Sequence, residues 1–149
     1  MGFFKNIFGK KTCALCGKEC GVMRRSKIKN KEFICSECGN LCSKYIRLSE
    51  LTLDEIKGHI EYMKRQNRLF EEVYSKEGKK STYPSTLNDM GIEFCDELGM
   101  FRIVYRSDTS RGKMKELFRY DQVASYEEYV DETPATEPGK QPEFKGCGL

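Results

Sequence analysis

The sequence has no tryptophan, only one histidine and no long apolar run. A helix that spans a bilayer needs about 20 consecutive apolar residues, and no run in these 149 residues approaches that length. A signal-peptide pattern is also missing. Because catalytic zinc sites usually recruit histidine and keep one position open, a chain with only His59 is a poor candidate for one. These absences count against membrane-spanning, secreted and metal-hydrolase classes.

Recognisable catalytic motifs are missing as well. There is no Ser/His/Asp set, no glycine-rich loop that would bind phosphate, no Walker-type lysine and no pair of carboxylates in a recognisable catalytic motif. A thiol–disulfide role for cysteine pairs would need a thioredoxin-like βαβ setting, which the sequence does not provide. We therefore expect no enzyme, and no small-molecule substrate is indicated.

Cysteine is abundant, with eight residues. Four of them form two Cys-x-x-Cys-Gly motifs, Cys13 with Cys16 and Cys35 with Cys38. The two thiolates of such a pair can bind one ion, and the glycine that follows permits the tight turn of the backbone that this binding requires. Two pairs supply the four soft ligands of tetrahedral zinc, so we predict a structural Zn²⁺ site. Without a secretory signal, metal is favoured over disulfides, which indicates a cytoplasmic protein.

Cys20 and Cys42 complicate the count of ligands. Each lies four residues after the second cysteine of its motif. Six thiolates could hold an iron–sulfur cluster or exchange as ligands. We favour two small buried thiols beside a four-cysteine zinc site.

The segment between the motifs predicts a hairpin. Residues 22–28 and 32–34 are typical of short strands, and Asn30 in the turn suits a positive φ. Residues 41–46 are expected to start a helix directly from the second cysteine pair. This order predicts a treble clef, with a zinc ribbon as the near alternative.

Charge is unevenly distributed along the chain. Residues 1–48 carry eleven Lys and Arg against three Asp and Glu, a net +8, while the remainder carries fifteen against twenty, a net −5. Zn²⁺ with four thiolates would lower the first value to about +6. The excess of positive charge in residues 1–48 suggests an anionic partner. For the basic residues of the hairpin, however, the favoured interpretation is that they form a solvent-exposed face without a ligand. The candidate anion-binding residues are Arg24, Arg25, Lys27 and Lys29.

The first eleven residues have one apolar side, formed by Phe3, Phe4, Ile7 and Phe8. One interpretation is a short interfacial anchor with its lysines toward anionic headgroups. The favoured one is a cover for the small zinc module, because interfacial helices are usually longer.

A capping box, Thr52 with Glu55, predicts a helix that runs to about Val73. Its apolar face would contain Ile56, Ile60, Met63 and Phe70. His59 lies beside this face without a visible catalytic partner, so a role as metal ligand or general base is disfavoured.

The remaining sequence is rich in predicted strands. After an irregular connection over residues 75–90, residues 92–95 and 100–105 form a hairpin with Gly99 in its turn, and 117–120 and 123–130 supply further strands. The resulting α+β organisation has a four-cysteine zinc module at 1–48, a linking amphipathic helix at 49–74, an antiparallel β domain at 75–131 and a disordered tail at 132–149.

These parts together resemble a family of bacterial and phage proteins that carry a domain of unknown function. The resemblance rests on the opening Met-Gly-Phe-Phe, the two Cys-x-x-Cys motifs, the basic hairpin, Leu-Thr-Leu-Asp-Glu-Ile-Lys and Tyr-Asp-Gln-Val-Ala-Ser-Tyr-Glu. It implies a four-cysteine zinc domain followed by a strand-rich domain similar to pleckstrin-homology (PH) modules. Relatives often continue into a glycine-rich stretch, so residues 145–149 are expected to be the start of one, cut short.

Two functional hypotheses follow. The favoured one is a zinc-stabilised adaptor or interaction module that binds a protein or an anionic membrane surface, in the cytoplasm or peripherally at the membrane. The alternative is a nucleic-acid-binding zinc finger that uses the basic hairpin on phosphates.

Overall fold

The computed structural model describes residues 9–84, 90–105, 114–127, 129–133 and 143–148. The chain divides into two compact units, Met1–Lys76 with Asp108–Glu116 and Glu77–Ser107 with Leu117–Leu149, here the N-terminal and C-terminal units. Helices and antiparallel sheets both occur, and one helix is long, so the predicted mixed class is confirmed. The predicted apolar side of the first residues lies outside the described part.

The N-terminal unit begins with two short antiparallel ladders. Strand β1 (Lys11–Thr12) pairs with β2 (Glu19–Cys20), and β3 (Arg25–Lys27) pairs with β4 (Phe33–Cys35). The turn between β3 and β4 holds Asn30 at φ 64°, which confirms the predicted left-handed residue. The predicted first strand is too long, because Val22–Arg24 is a 3-10 turn.

Helix α1 (Ser36–Gly39) follows β4 directly and carries the second cysteine pair. It ends at Gly39, so the helix predicted over residues 41–46 is wrong. The chain forms turns instead, with the Leu41 and Cys42 N–H groups each donating to a carbonyl three residues back. One reason is the Ser43 side chain, whose Oγ accepts from the Tyr45 N–H at 3.2 Å and offers the backbone an alternative to the helix.

Helix α2 (Leu53–Glu72) starts at the predicted capping box. The Glu55 N–H donates to Thr52 Oγ1 at 3.3 Å, and the Thr52 N–H donates to Glu55 Oε2 at 2.7 Å. Burial of one face is confirmed at Ile56, Ile60 and Met63. The helix is therefore anchored at its start and packed along its first three turns.

The C-terminal unit contains a four-stranded antiparallel sheet in the order β5-β6-β7-β8. Its strands are β5 (Ser81–Pro84), β6 (Met90–Cys95), β7 (Met100–Tyr105) and β8 (Phe118–Arg119). The β6–β7 hairpin and Gly99 at φ 59° confirm the prediction. Strand β5 corrects the irregular connection predicted there, and its Thr82 and Tyr83 are residue types that favour strands.

The last part of the chain differs from the prediction. Residues 123–127 are exposed and irregular, whereas a strand was expected from 123 onward. Strand β9 (Tyr129–Thr133) pairs antiparallel with β10 (Glu143–Gly148). This pairing corrects the disordered tail predicted for 132–149, within which residues 134–142 lie outside the described part.

We predict that Gly99→Ala weakens the β6–β7 hairpin by about 1 kcal/mol, because a side chain is unfavourable at φ 59° even where space is open. Hydrogen exchange of the β6 and β7 amides measures the change.

The matched control is Gly78→Ala, at a position that is also open but lacks a positive φ. It is expected to leave protection unchanged or to raise it, by at most about 1 kcal/mol. Equal effects of the two substitutions would contradict the account of the turn.

Candidate metal centre

The first cysteine pair lies in the turn between β1 and β2. The Cys13 N–H donates to the Lys18 carbonyl at 2.8 Å, and the Gly17 N–H donates to the Cys13 carbonyl at 2.9 Å. Gly17 has a φ of 72°, a conformation that glycine adopts without a steric penalty. The β1–β2 connection is thus a tight loop that holds Cys13 and Cys16.

The second pair lies where β4 becomes α1. Cys35 is the last residue of the strand and the N-cap of the helix, and its Sγ accepts from the Cys38 N–H at 3.5 Å. The Ala14 N–H donates to the Phe33 carbonyl at 2.8 Å, which fixes the first loop against β4. Strand, helix start and loop together place the two pairs face to face.

The sulfur atoms of Cys13, Cys16, Cys35 and Cys38 all lie within 4.8 Å of one another. Cys13 Sγ lies 3.8 Å from Cys38 Sγ, and Cys16 Sγ lies 3.7 Å from Cys35 Sγ. The structure therefore brings together the four residues predicted as ligands, from segments that are far apart in sequence.

These separations fit a single tetrahedral ion. Four thiolates at about 2.3 Å from a central zinc have sulfur–sulfur edges of about 3.8 Å. Two of the four edges between the pairs have about that length, and all the other sulfur–sulfur distances are within 4.8 Å. The donor set is all sulfur, so hard cations such as Mg²⁺ and Ca²⁺ are poor candidates.

Backbone N–H groups favour the ionised form of one sulfur. Burial raises the pKa of Cys13, but N–H groups of Cys35, Cys16 and Leu15 lower it more, so its pKa is about 6 against 9.0. The Cys35 N–H is 3.3 Å from Cys13 Sγ. Burial, together with the neighbouring sulfurs, raises the pKa of Cys38. Four thiolates this close repel one another, and a divalent cation at their centre would relieve that repulsion.

A small apolar core surrounds the sulfurs and includes part of α2. The Lys29 N–H donates to the Leu51 carbonyl at 2.9 Å, which ties the β3–β4 turn to the segment before the helix. The packing therefore continues past residue 48, where the sequence suggested a boundary. The buried members of this core are Cys13, Cys20, Ile28, Ile34, Cys35, Cys42, Ile56 and Ile60.

Cys20 and Cys42 belong to that core rather than to the sulfur cluster. Both are buried, and among the described residues only Cys13, Cys16, Cys35 and Cys38 form a group at ligand distance. Cys20 Sγ donates to the Lys11 carbonyl at 3.2 Å, and burial raises the pKa of the Cys42 thiol. This arrangement matches the favoured interpretation of both residues as buried thiols.

The four predicted anion-binding residues differ in their surroundings. Arg24, Lys27 and Lys29 are exposed. Arg25 is half-buried, with its guanidinium 4.9 Å from the centre of the Phe33 ring and donating to the Gly9 carbonyl at 2.6 Å. Arg25 therefore contributes to the packing of the hairpin, and an anion-binding role for all four residues stays a prediction.

Sequence reasoning missed a polar cluster around Ser43, which is only 6% exposed. Ser43 Oγ donates to Glu116 Oε2 at 2.5 Å, and the Ser43 N–H donates to His59 Nε2 at 3.0 Å. Burial and the nearby Glu116 charge raise the pKa of Tyr62. Seventy-three positions separate Ser43 from Glu116, so no local pattern could have indicated the pair.

Comparison with known proteins matches one segment of the chain. Residues 12–59 fit a family model described as Domain of unknown function (DUF4428). This segment, about a third of the chain, contains all four clustered cysteines and the first turns of α2. No curated protein and no solved structure matches the chain. A bacterial or phage origin and a PH-like second domain stay predictions.

We predict that Ser43→Ala lowers the free energy of unfolding of the N-terminal unit by about 1–3 kcal/mol, because it removes the Ser43 hydroxyl donor from the half-buried Glu116 carboxylate. Urea denaturation followed by helical circular dichroism measures the change.

Ser49→Ala is the control, since Ser49 is exposed, and it should have an effect within about 0.5 kcal/mol. If Ser43→Ala were as mild as this control, the Ser43–Glu116 bond would not contribute to stability.

Proposed function

We propose that this chain is a non-enzymatic adaptor or interaction protein whose N-terminal unit is stabilised by a structural zinc ion. The observation that carries the proposal is the cluster of four cysteine sulfurs within 4.8 Å of one another. Zinc binding stabilises the folded state of a unit whose apolar core is small. The surface that binds the partner is formed by the chain's own residues.

The choice of zinc rests on the compactness of the sulfur cluster. Tetrahedral sulfur sites hold either zinc or iron–sulfur clusters. An iron–sulfur cluster with several irons is larger than a single ion, so its cysteine ligands lie farther apart. The separations of these four sulfurs fit one central ion. Cys20 and Cys42 are packed in the core, which leaves four ligands rather than six.

Two further observations support a non-enzymatic role. Four thiolates close the coordination shell, so no position is left for water or substrate. Ser43 and His59 do not form a nucleophile–base pair, because the Ser43 hydroxyl donates to Glu116 and His59 accepts from the Ser43 backbone. These polar groups serve packing.

In this proposal the partner is a protein or an anionic membrane surface, the C-terminal unit is PH-like, and the protein is cytoplasmic or peripheral at the membrane. No helix in the described part of the chain is long and apolar enough to cross a bilayer. The basic N-terminal unit supports an anionic partner.

Nucleic-acid binding is the alternative. It is supported by Arg24, Lys27 and Lys29, which are exposed and form no ion pair within the described residues. Three phosphate contacts would give a binding constant that falls with salt with a log–log slope of about −2.7 on duplex DNA. A gel-shift titration across salt concentrations tests this alternative.

We predict that the purified chain contains one zinc per molecule and that Cys16→Ser removes it. Cys16 is exposed, so the substitution opens no cavity in the core. Elemental analysis by mass spectrometry measures the zinc content, and limited proteolysis follows the folding of the N-terminal unit.

Cys42→Ala is the control, because Cys42 is a buried thiol outside the sulfur cluster. It should cost stability but retain zinc. Zinc lost equally from both variants would indicate general unfolding, and a metal-free wild-type protein with a protease-resistant N-terminal unit would overturn the proposal.

A further inference from the structure

One face of the four-stranded sheet in the C-terminal unit carries a row of aromatic rings. Phe94 on β6 is the register partner of Phe101 on β7, and Phe101 is the partner of Phe118 on β8. Side chains alternate between the two faces of a strand, so these three rings share one face. Tyr83 on β5 and Tyr120 after β8 extend the row, with ring centroids 5.8 Å and 6.1 Å from that of Phe94. We call these five residues the aromatic row.

The aromatic row is only partly covered by the rest of the protein. Phe94, Phe101 and Phe118 are half-buried, Tyr120 is 37% exposed and Tyr83 is 65% exposed. Three interstrand spacings separate β5 from β8, so the row extends for about 14 Å across the sheet. A small ligand would contact only part of the row, whereas an extended peptide would contact both tyrosines.

Two hydrogen bonds hold Tyr120 in a fixed orientation. Its N–H donates to the Gly99 carbonyl at 2.9 Å, and its hydroxyl donates to Asp96 Oδ1 at 2.6 Å. Burial and the Asp96 carboxylate raise the pKa of Tyr120 to about 12, so the phenol keeps its proton at neutral pH. A ligand that stacks on this ring would therefore bind a side chain that is already ordered.

Asp96 gives the Tyr120 end of the row a negative charge. It is exposed and forms no ion pair with another described residue, whereas the neighbouring Glu97 pairs with Lys79 at 3.4 Å. Arg119 on β8 pairs with Asp121, so its charge is already compensated. The Asp96 carboxylate therefore stays available to a cation from outside the chain.

The charge around the row favours a positive partner. Arg102 is the only Lys or Arg in β6 and β7, and it lies on the opposite face, where it pairs with Glu93 at 2.8 Å. The described residues of the C-terminal unit carry five Lys and Arg against nine Asp and Glu, a net −4. Bases of a nucleic acid also stack on aromatic rings, but its phosphates would be repelled by this unit.

We propose that the aromatic row and Asp96 form a docking site for a positively charged, arginine-bearing peptide segment of a partner protein. A guanidinium group is planar, so it can stack on Tyr120 while its N–H groups donate to the Asp96 carboxylate. Tyr83 and the half-buried rings would contact apolar parts of the same peptide. The inference rests on the interaction role proposed above and gives the chemistry of the partner, but it does not depend on the metal.

The test is an NMR titration of the full, zinc-containing, ¹⁵N-labelled chain with a synthetic peptide in which arginines alternate with leucine and serine. The matched probe is the same peptide with citrulline, which has the shape of arginine but no charge. The arginine peptide is expected to shift the amide signals of Asp96, Gly99 and Tyr120. Its affinity should exceed that of the citrulline peptide by about fivefold or more.

Substitutions separate the site from general charge attraction. Asp96→Asn removes the charge but keeps an oxygen that accepts from the Tyr120 hydroxyl, and it should weaken binding of the arginine peptide by about fivefold. Tyr120→Leu removes the ring and should have a similar effect. Glu127→Gln and Tyr126→Leu are the matched controls, since both residues are exposed and lie outside the row, and these variants should bind as the wild type does. If Tyr120→Leu is poorly folded, Asp96→Asn alone decides the test.

Equal affinity for the two peptides, or equal losses from Asp96→Asn and Glu127→Gln, would overturn the proposal. Binding of oligodeoxythymidine at the same amides, without binding of the arginine peptide, would overturn it in favour of single-stranded nucleic acid. Zinc content is measured on the same samples. A zinc-loaded chain that does not bind the arginine peptide contradicts this inference alone, and a metal-free chain contradicts the proposed function.

Discussion

The convergence of four cysteine sulfurs is the constraint on which the N-terminal unit depends. Its strands are only two or three residues long, and ladders of that length are not stable alone in water. Binding of a structural zinc ion to such a site contributes about 10–16 kcal/mol in small peptides, more than so small an apolar core can supply.

The sulfur site and helix α2 form one packed unit. Ile56 and Ile60 are buried in the same core as Cys13 and Cys35, and the matched family segment ends at residue 59, within the helix. Segment 114–116 adds to this unit, since Glu116 accepts from Ser43 and the Lys115 N–H donates to Asn67 Oδ1 at 3.1 Å. Removal of a metal bound at the sulfur cluster would therefore be expected to destabilise the first turns of α2 as well.

Features set by neighbouring residues could be predicted from the sequence. The Cys-x-x-Cys-Gly spacing, the Thr52–Glu55 capping box and Gly99 in the β6–β7 turn each depend on a few consecutive side chains. The turns over residues 41–46 could not be predicted, because Ser43 is held by Glu116, 73 positions away. The β9–β10 pairing likewise joins segments across intervening residues, so composition alone suggested a disordered tail.

X-ray absorption spectroscopy at the zinc edge tests the central claim most directly, because it reports the atoms that contact the metal in the purified protein. The account predicts a shell of four sulfurs at about 2.3 Å and no nitrogen or oxygen ligand. A shell containing nitrogen or oxygen at about 2.0–2.1 Å, or a purified protein with no zinc edge but an iron edge, would contradict it.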